Sequence, residues 1–151
     1  MYTNDEGKNL IKKFEGCKLT AYKCSASINT IGFGSTIVNG KPVVEGQKIT
    51  LEEANKQFDI DISIFENNVL KLIKRDLNQN QFNAIISLTY NIGIGNFKSS
   101  TLLKKININP NDKSIGDEFL KWCRVKGVVN KGLLNRRSEE QKLYFKLIFQ
   151  I

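Results

Sequence analysis

Histidine is absent from this 151-residue chain, and that one gap closes several chemistries. Ser-His-Asp and Cys-His catalysis both need an imidazole as base, so neither is open to it. Zinc sites with two histidine ligands are closed for the same reason, and no metal or other cofactor is expected. Cysteine is scarce: Cys17, Cys24 and Cys123 are too few and too irregularly spaced for a disulfide framework or a four-thiolate site. An odd number leaves at least one thiol free, and all three are expected to be reduced. With two prolines and no repeat or low-complexity tract, no linker is visible. No apolar run approaches the roughly 20 residues that span a bilayer, so no integral membrane segment is expected. The opening Met1-Tyr2-Thr3-Asn4-Asp5-Glu6 lacks the basic-then-apolar layout of a secretory signal.

What is present is ordinary for a globular protein: 40% hydrophobic and 25% charged residues. The length fits one domain over residues 1–151, with room for two lobes. Twenty-three basic side chains against 15 acidic ones leave a net charge of +8. Such a surface favours anionic partners: nucleic acid, acidic membranes or the anionic polymers of a bacterial envelope. The cations are scattered in pairs such as Lys12-Lys13, Lys104-Lys105 and Arg136-Arg137, which read as solvated surface. No helix-turn-helix pattern, zinc spacing or aromatic ribonucleoprotein motif is present, so no specific nucleic-acid partner is expected. The basic, apolar end of the chain from Gln141 to Ile151 reads as a core-packing segment ahead of a membrane-active one.

Leu10, Ile11 and Phe14 share one helical face, and Gly16 stops that helix. Thr20-Ala21-Tyr22, Asn29-Thr30-Ile31 and Thr36-Ile37-Val38 read as short strands, with Asn39-Gly40 as a hairpin turn. Thr50-Leu51-Glu52-Glu53 has the spacing of a capping box. The helix that it starts keeps Phe58, Ile62, Phe65, Val69 and Leu72 on one face. Asn78 and Gln81 cap another helix carrying Phe82, Ile85, Ile86 and Tyr90. Gly93 and Gly95 break the chain before Ser99–Leu103, and Asn109–Asp112 is a turn. Ile115, Phe119 and Trp122 mark a further helix, and a last one is expected over about 134–149. The pattern predicts an α+β fold. A small β lobe (about 15–52) is joined by a long helix to an all-helical lobe (about 75–151). Residues 1–14 are expected to pack on the latter, with a cleft between the lobes.

The densest cluster of chemistry lies in Phe14–Ser35, which reads FEGCKLTAYKCSASINTIGFGS. Glu15 ends an apolar helix, a setting expected to keep a carboxyl protonated by desolvation. Cys24 follows nine residues later and Thr30 six residues after that. A glycosidic bond needs a neutral acid on the leaving oxygen and a group holding water on the opposite face. Glu15 fits the first role, and Thr30 with Cys24 fits the second. Cys24 could equally attack as a thiolate or merely fill space. Inverting and retaining routes therefore both stay open.

That spacing, followed by Ile31-Gly32-Phe33-Gly34, resembles the catalytic region of the phage-type lysozymes, the muramidase endolysins. Further blocks carry the likeness in the same order: Leu77–Phe82, Tyr90–Phe97, Ser100–Leu103, Asp117–Trp122 and Gly132–Arg137. The resemblance covers residues 7 to 145 and implies a lysozyme-like fold and a glycosidase. Its implied substrate is the β-1,4 bond between N-acetylmuramic acid and N-acetylglucosamine of peptidoglycan. Family members usually have Asp or Cys at the second position, so Cys24 fits the thiol variant. Matched position by position, Thr36, Tyr90 and Thr101 would line the glycan cleft, and Arg136 would face peptide or lactyl carboxylates. The resemblance also implies a monomer, made in the bacterial cytoplasm and released to the wall through a holin or another route. Many relatives have Gly-Val-Trp where this chain has Ser27-Ile28-Asn29. Many have a His that braces the β lobe through an acidic partner, where this chain has Ser35. A non-catalytic peptidoglycan-binding protein on the same scaffold is the alternative function.

Overall fold

Helix α1 (Asp5–Glu15) is defined at both ends by short-range hydrogen bonds. At its start Gly7 N–H donates to Asn4 Oδ1 at 3.2 Å, an N-cap. At its end Gly16, with φ of 66°, donates its N–H to the Lys12 carbonyl at 2.9 Å. The computed structural model describes residues 1–148. They form two compact units, one of residues 9–64 and one of residues 1–8 together with the chain from Phe65 onward.

The 9–64 unit holds the end of α1, strands β1 (Lys18–Lys23), β2 (Asn29–Gly32), β3 (Ile37–Val38) and β4 (Lys41–Pro42), and the first part of α2 (Leu51–Leu72). Strands β1 and β2 run antiparallel with Tyr22 opposite Thr30 and Lys23 opposite Asn29. The other edge of β1 is covered as well: Ala21 N–H donates to Gln47 and Leu19 accepts from Ile49, at 2.8 and 2.9 Å. Between β3 and β4, Asn39 and Gly40 have φ of 52° and 75°, the left-handed pair that an Asn-Gly turn predicts. Ile11, Ile31, Phe33, Val38, Val43, Ile49, Phe58 and Ile62 are buried and form its core. The predicted capping box of α2 is present, Thr50 Oγ1 and Glu53 N–H meeting at 3.1 Å, as do Glu53 Oε1 and Thr50 N–H. The helix runs 22 residues, about 33 Å.

The second unit is built round α3 (Gln79–Ile92), capped reciprocally by Asn78 and Gln81 and buried at every residue from Asn80 to Thr89. Helices α4 (Ile94–Ser99), α5 (Thr101–Ile108), α6 (Ile115–Leu120) and α7 (Lys131–Tyr144) complete it, with α3 packing chiefly on α7. The start of α1 belongs here too. A Cβ on Gly7 would come within 2.7 Å of the Asn83 side chain, so only glycine allows that approach.

Four features depart from the pattern read in the sequence. Residues 1–8 group with the helices, whereas 9–15 group with the sheet, where Ile11 is fully buried. The second half is not wholly helical, because β5 (Arg124–Val125) and β6 (Val128–Val129) form a hairpin. Its turn uses Lys126 and Gly127 at φ of 50° and 80°. Gly95 lies inside α4 and not in a break. Helix α7 begins at Lys131 on an Asn130 cap and ends at Tyr144. Of the segment expected to be helical to 149, only its final residue, and with it Gln150 and Ile151, lies outside the described residues.

Arg136, Arg137 and Glu140 of α7 are buried together. Glu140 is 2.9 Å from Arg137 Nε and 3.2 Å from Arg136 Nε, and it accepts from the Ser87 hydroxyl of α3. Burial pushes its carboxyl up, while the two guanidiniums and Ser87 pull it back. A carboxylate shared between two guanidiniums offsets a desolvation cost that neither charge could meet alone. Glu140→Ala removes the buried carboxylate that both cations share, and urea unfolding should show a loss of about 3–5 kcal/mol. A loss below about 1 kcal/mol would mean that the cations are solvated in the folded protein.

Candidate active site

The loop between β1 and β2 is closed by two backbone bonds: Cys24 N–H to Ile28 carbonyl at 3.0 Å, and Ser27 N–H to Cys24 carbonyl at 2.8 Å. Ser27 has φ of 60°, the left-handed third residue of a three-residue hairpin loop. Counting back from this closure sets Tyr22 opposite Thr30. Side chains alternate along a strand, so Tyr22, Cys24 and Thr30 fall on one face.

Thr30 is buried and donates its hydroxyl to the Ile28 carbonyl at 2.9 Å. The half-buried Cys24 thiol is held below its usual range by the backbone N–H of Ile28, then by that of Ala26 and by the Thr30 hydroxyl. A hydroxyl has one proton. Thr30 therefore serves either the Ile28 carbonyl or a Cys24 thiolate, not both. Tyr22 is pushed up by burial first, then by the negative charges of Glu15 and of Cys24. The half-buried Glu15, at the end of α1, thus acts on the same phenol as the thiol. The sequence reading missed Tyr22, although counting back from the Cys24–Ile28 closure finds it.

Ser35 braces the turn that follows β2. It is buried and donates to Asp61 Oδ2 of α2 at 2.6 Å, while Gln57 donates to Asp61 Oδ1 at 2.9 Å. The Ile31 and Ser35 backbones exchange two bonds of 2.8 Å. The Gly32–Gly34 turn is thereby tied to a helix by a hydroxyl and a carboxylate.

Thr36 is exposed in the 9–64 unit, its carbonyl accepting from Val43 N–H at 2.9 Å. Tyr90, Thr101 and Arg136 belong to the other unit. Tyr90 is half-buried against Phe65, ring centroids 5.2 Å apart. Thr101 is exposed at the start of α5. Arg136 was expected to face substrate carboxylates, but it is only 3% exposed. Its guanidinium is turned inward to Glu140 and to the Ser87 carbonyl at 3.0 Å, because the cluster on α7 needs it. Among the described residues no three His, Cys, Asp or Glu side chains gather as a metal site. Among the same residues no helix is long and apolar enough to cross a membrane.

The family model for phage lysozyme matches residues 12–140, which takes in the hairpin, its braces and most of the helical unit. The chain belongs to the phage lysozyme family. It is 41% identical over 146 residues to an endolysin of Bacillus phage B103, covering 95% of this chain and 54% of that protein. The chain thus spans about half the length of that relative and of the similar endolysin from Bacillus phage PZA. Among solved structures, the endolysin from Escherichia coli O157:H7 phage FAHEc1 superposes with a TM-score of 0.88 at 39% identity. The match covers 100% of this chain and 98% of that one. The muramidase domain of SpmX from Asticaccaulis excentricus gives 0.86 at 29% identity, over 96% and 98% of the two chains.

The hydrogen bonds around Cys24 make its reactivity a readout of the hairpin. A lowered thiol forms thiolate at lower pH, and removing a donor reverses part of that. In a Cys17→Ser background, the midpoint of iodoacetamide labelling at Cys24 should move to higher pH in Thr30→Val. An unmoved midpoint would show that Thr30 does not donate to the sulfur.

Proposed function

We propose that the chain hydrolyses the β-1,4 bond between N-acetylmuramic acid and N-acetylglucosamine of peptidoglycan. Glu15 is the general acid, and Thr30 with Cys24 holds the attacking water. One observation carries this reading: in a chain of the phage lysozyme family, Glu15 and Cys24 both act on Tyr22, which stands opposite Thr30 across the hairpin, within one compact unit. The muramidase name of the SpmX neighbour supports the choice of bond.

In this scheme Glu15 gives its proton to the bridging oxygen as the glycosidic bond breaks. Water adds to the anomeric carbon, oriented by the Thr30 hydroxyl and losing its proton towards Cys24. The lowered thiol suits that role, since a thiolate accepts what a thiol cannot. Addition of water from the opposite face inverts the anomeric carbon. Thr36, Tyr90 and Thr101 contact the glycan, and Arg136 supports α7 from within. The chain works as a single domain and a monomer on glycan strands of the wall, reached by release from the cytoplasm.

Glu15→Gln is nearly isosteric and removes only the proton donor. Release of reducing sugar from purified walls should fall by about 10²-fold or more, with the thermal midpoint unchanged. Lysis within a few-fold of the parent protein would end the glycosidase reading. Wall binding without any sugar release by the parent protein would favour the non-catalytic alternative.

A further inference from the structure

Lys12 and Lys13 read in the sequence as one solvated basic pair, and the fold separates them. Lys13 lies over the ring of its own neighbour Phe14, 5.2 Å from the centroid. Lys12 instead reaches two other segments of its unit. Its ammonium donates to Asn55 Oδ1 of α2 at 2.8 Å. It also sits 5.0 Å from the Phe33 centroid and 4.9 Å from that of Phe58. Those rings meet edge to face at 5.4 Å. One acceptor and two ring faces thus specify the position of a single cation. Phe33 lies in the turn that Ser35 ties to Asp61, so the platform under Lys12 is itself braced.

The Lys12 carbonyl accepts from Gly16 N–H and closes the helical turn that carries Glu15. A Cβ at Gly16 would meet nothing within 4 Å, so the position just past Glu15 borders open space. We propose that Lys12 is a positioning residue for Glu15, pinning the last turn of α1 to α2 and Phe33 so that the carboxyl has one approach to the scissile oxygen. The inference rests on the proposed role of Glu15. An apolar side chain of similar length would fill the space, but it could not be aimed by an amide oxygen and two ring faces. Misplacement of a reacting group by about 1 Å can cost on the order of 10²-fold in rate.

The test compares Lys12→Met, Lys12→Arg and Asn55→Ala with the parent protein on soluble peptidoglycan fragments. Lys12→Met should lose roughly ten- to a hundredfold in kcat with KM within about threefold, the signature of a transition-state defect. Lys12→Arg keeps a cation and a donor and should recover most of the loss. Asn55→Ala should show a smaller loss confined to kcat. A folded Lys12→Met protein with kcat within twofold overturns the proposal, as does failure of Lys12→Arg to rescue. If Lys12→Met does not fold, an Asn55→Ala protein with unchanged kcat overturns it. Inactive Glu15→Gln alongside active Lys12→Met defeats only this inference. Active Glu15→Gln defeats the reading on which it rests.

Discussion

Two backbone hydrogen bonds across Cys24–Ile28 decide which residues of β1 face which residues of β2. With that closure Tyr22 stands opposite Thr30, and Cys24 lies on the same face as that threonine, whose hydroxyl lowers its thiol. A slip of one residue would send every side chain of the strand to the other face. Thr30 would leave its buried position, and the thiol would lose a hydroxyl donor. The left-handed Ser27 prevents that slip because the three-residue loop has one register. Braces outside the hairpin then hold what the loop has set: Ser35 on Asp61 for the following turn, and the β1 edge against Gln47 and Ile49.

Local signals in the sequence were legible wherever a side chain satisfies its own neighbourhood. Thr50 with Glu53, Asn78 with Gln81, and Asn39-Gly40 act within four residues, and each forms the cap or turn that its spacing predicts. Cys24 and Thr30 stand on one short hairpin, and Glu15 at the end of α1 falls in the same unit. Residues whose partners are distant in sequence were not legible. Lys12 pairs with Asn55, and Ser35 with Asp61, across 43 and 26 residues. Arg136 and Arg137 read as surface or as ligand-facing cations, since charge at the start of a helix gives no sign of burial. The Glu140 carboxylate, four and three positions further along α7 and met by Ser87 from α3, helps make their burial tolerable. The β5–β6 hairpin escaped notice because its strands are two residues long and its turn is Lys-Gly and not Asn-Gly.

The two units solve the burial of charge differently. In the 9–64 unit Asp61 and Lys12 are half-buried and meet uncharged partners, Ser35 and Gln57 for the carboxylate, Asn55 and two aromatic rings for the ammonium. In the helical unit a carboxylate and two guanidiniums lie inside the core. Such clusters are poor sources of net stability against apolar replacements, but they tolerate only one arrangement of their helices. Here they join α3 to α7, the most extensive packing within that unit.

Helix α3 has no wet side between Asn80 and Thr89, yet half of that stretch is polar. Thr89 bonds back to the Ile85 carbonyl of its own helix, and the other four are committed elsewhere: Asn80 to the Lys146 carbonyl, Gln81 to Asn111, Asn83 to Asn4, and Ser87 to Glu140. A substitution at any of the latter orphans a group on another element. Lineages that diverge here are therefore expected to change in matched pairs, one residue on the axle and one on the rim.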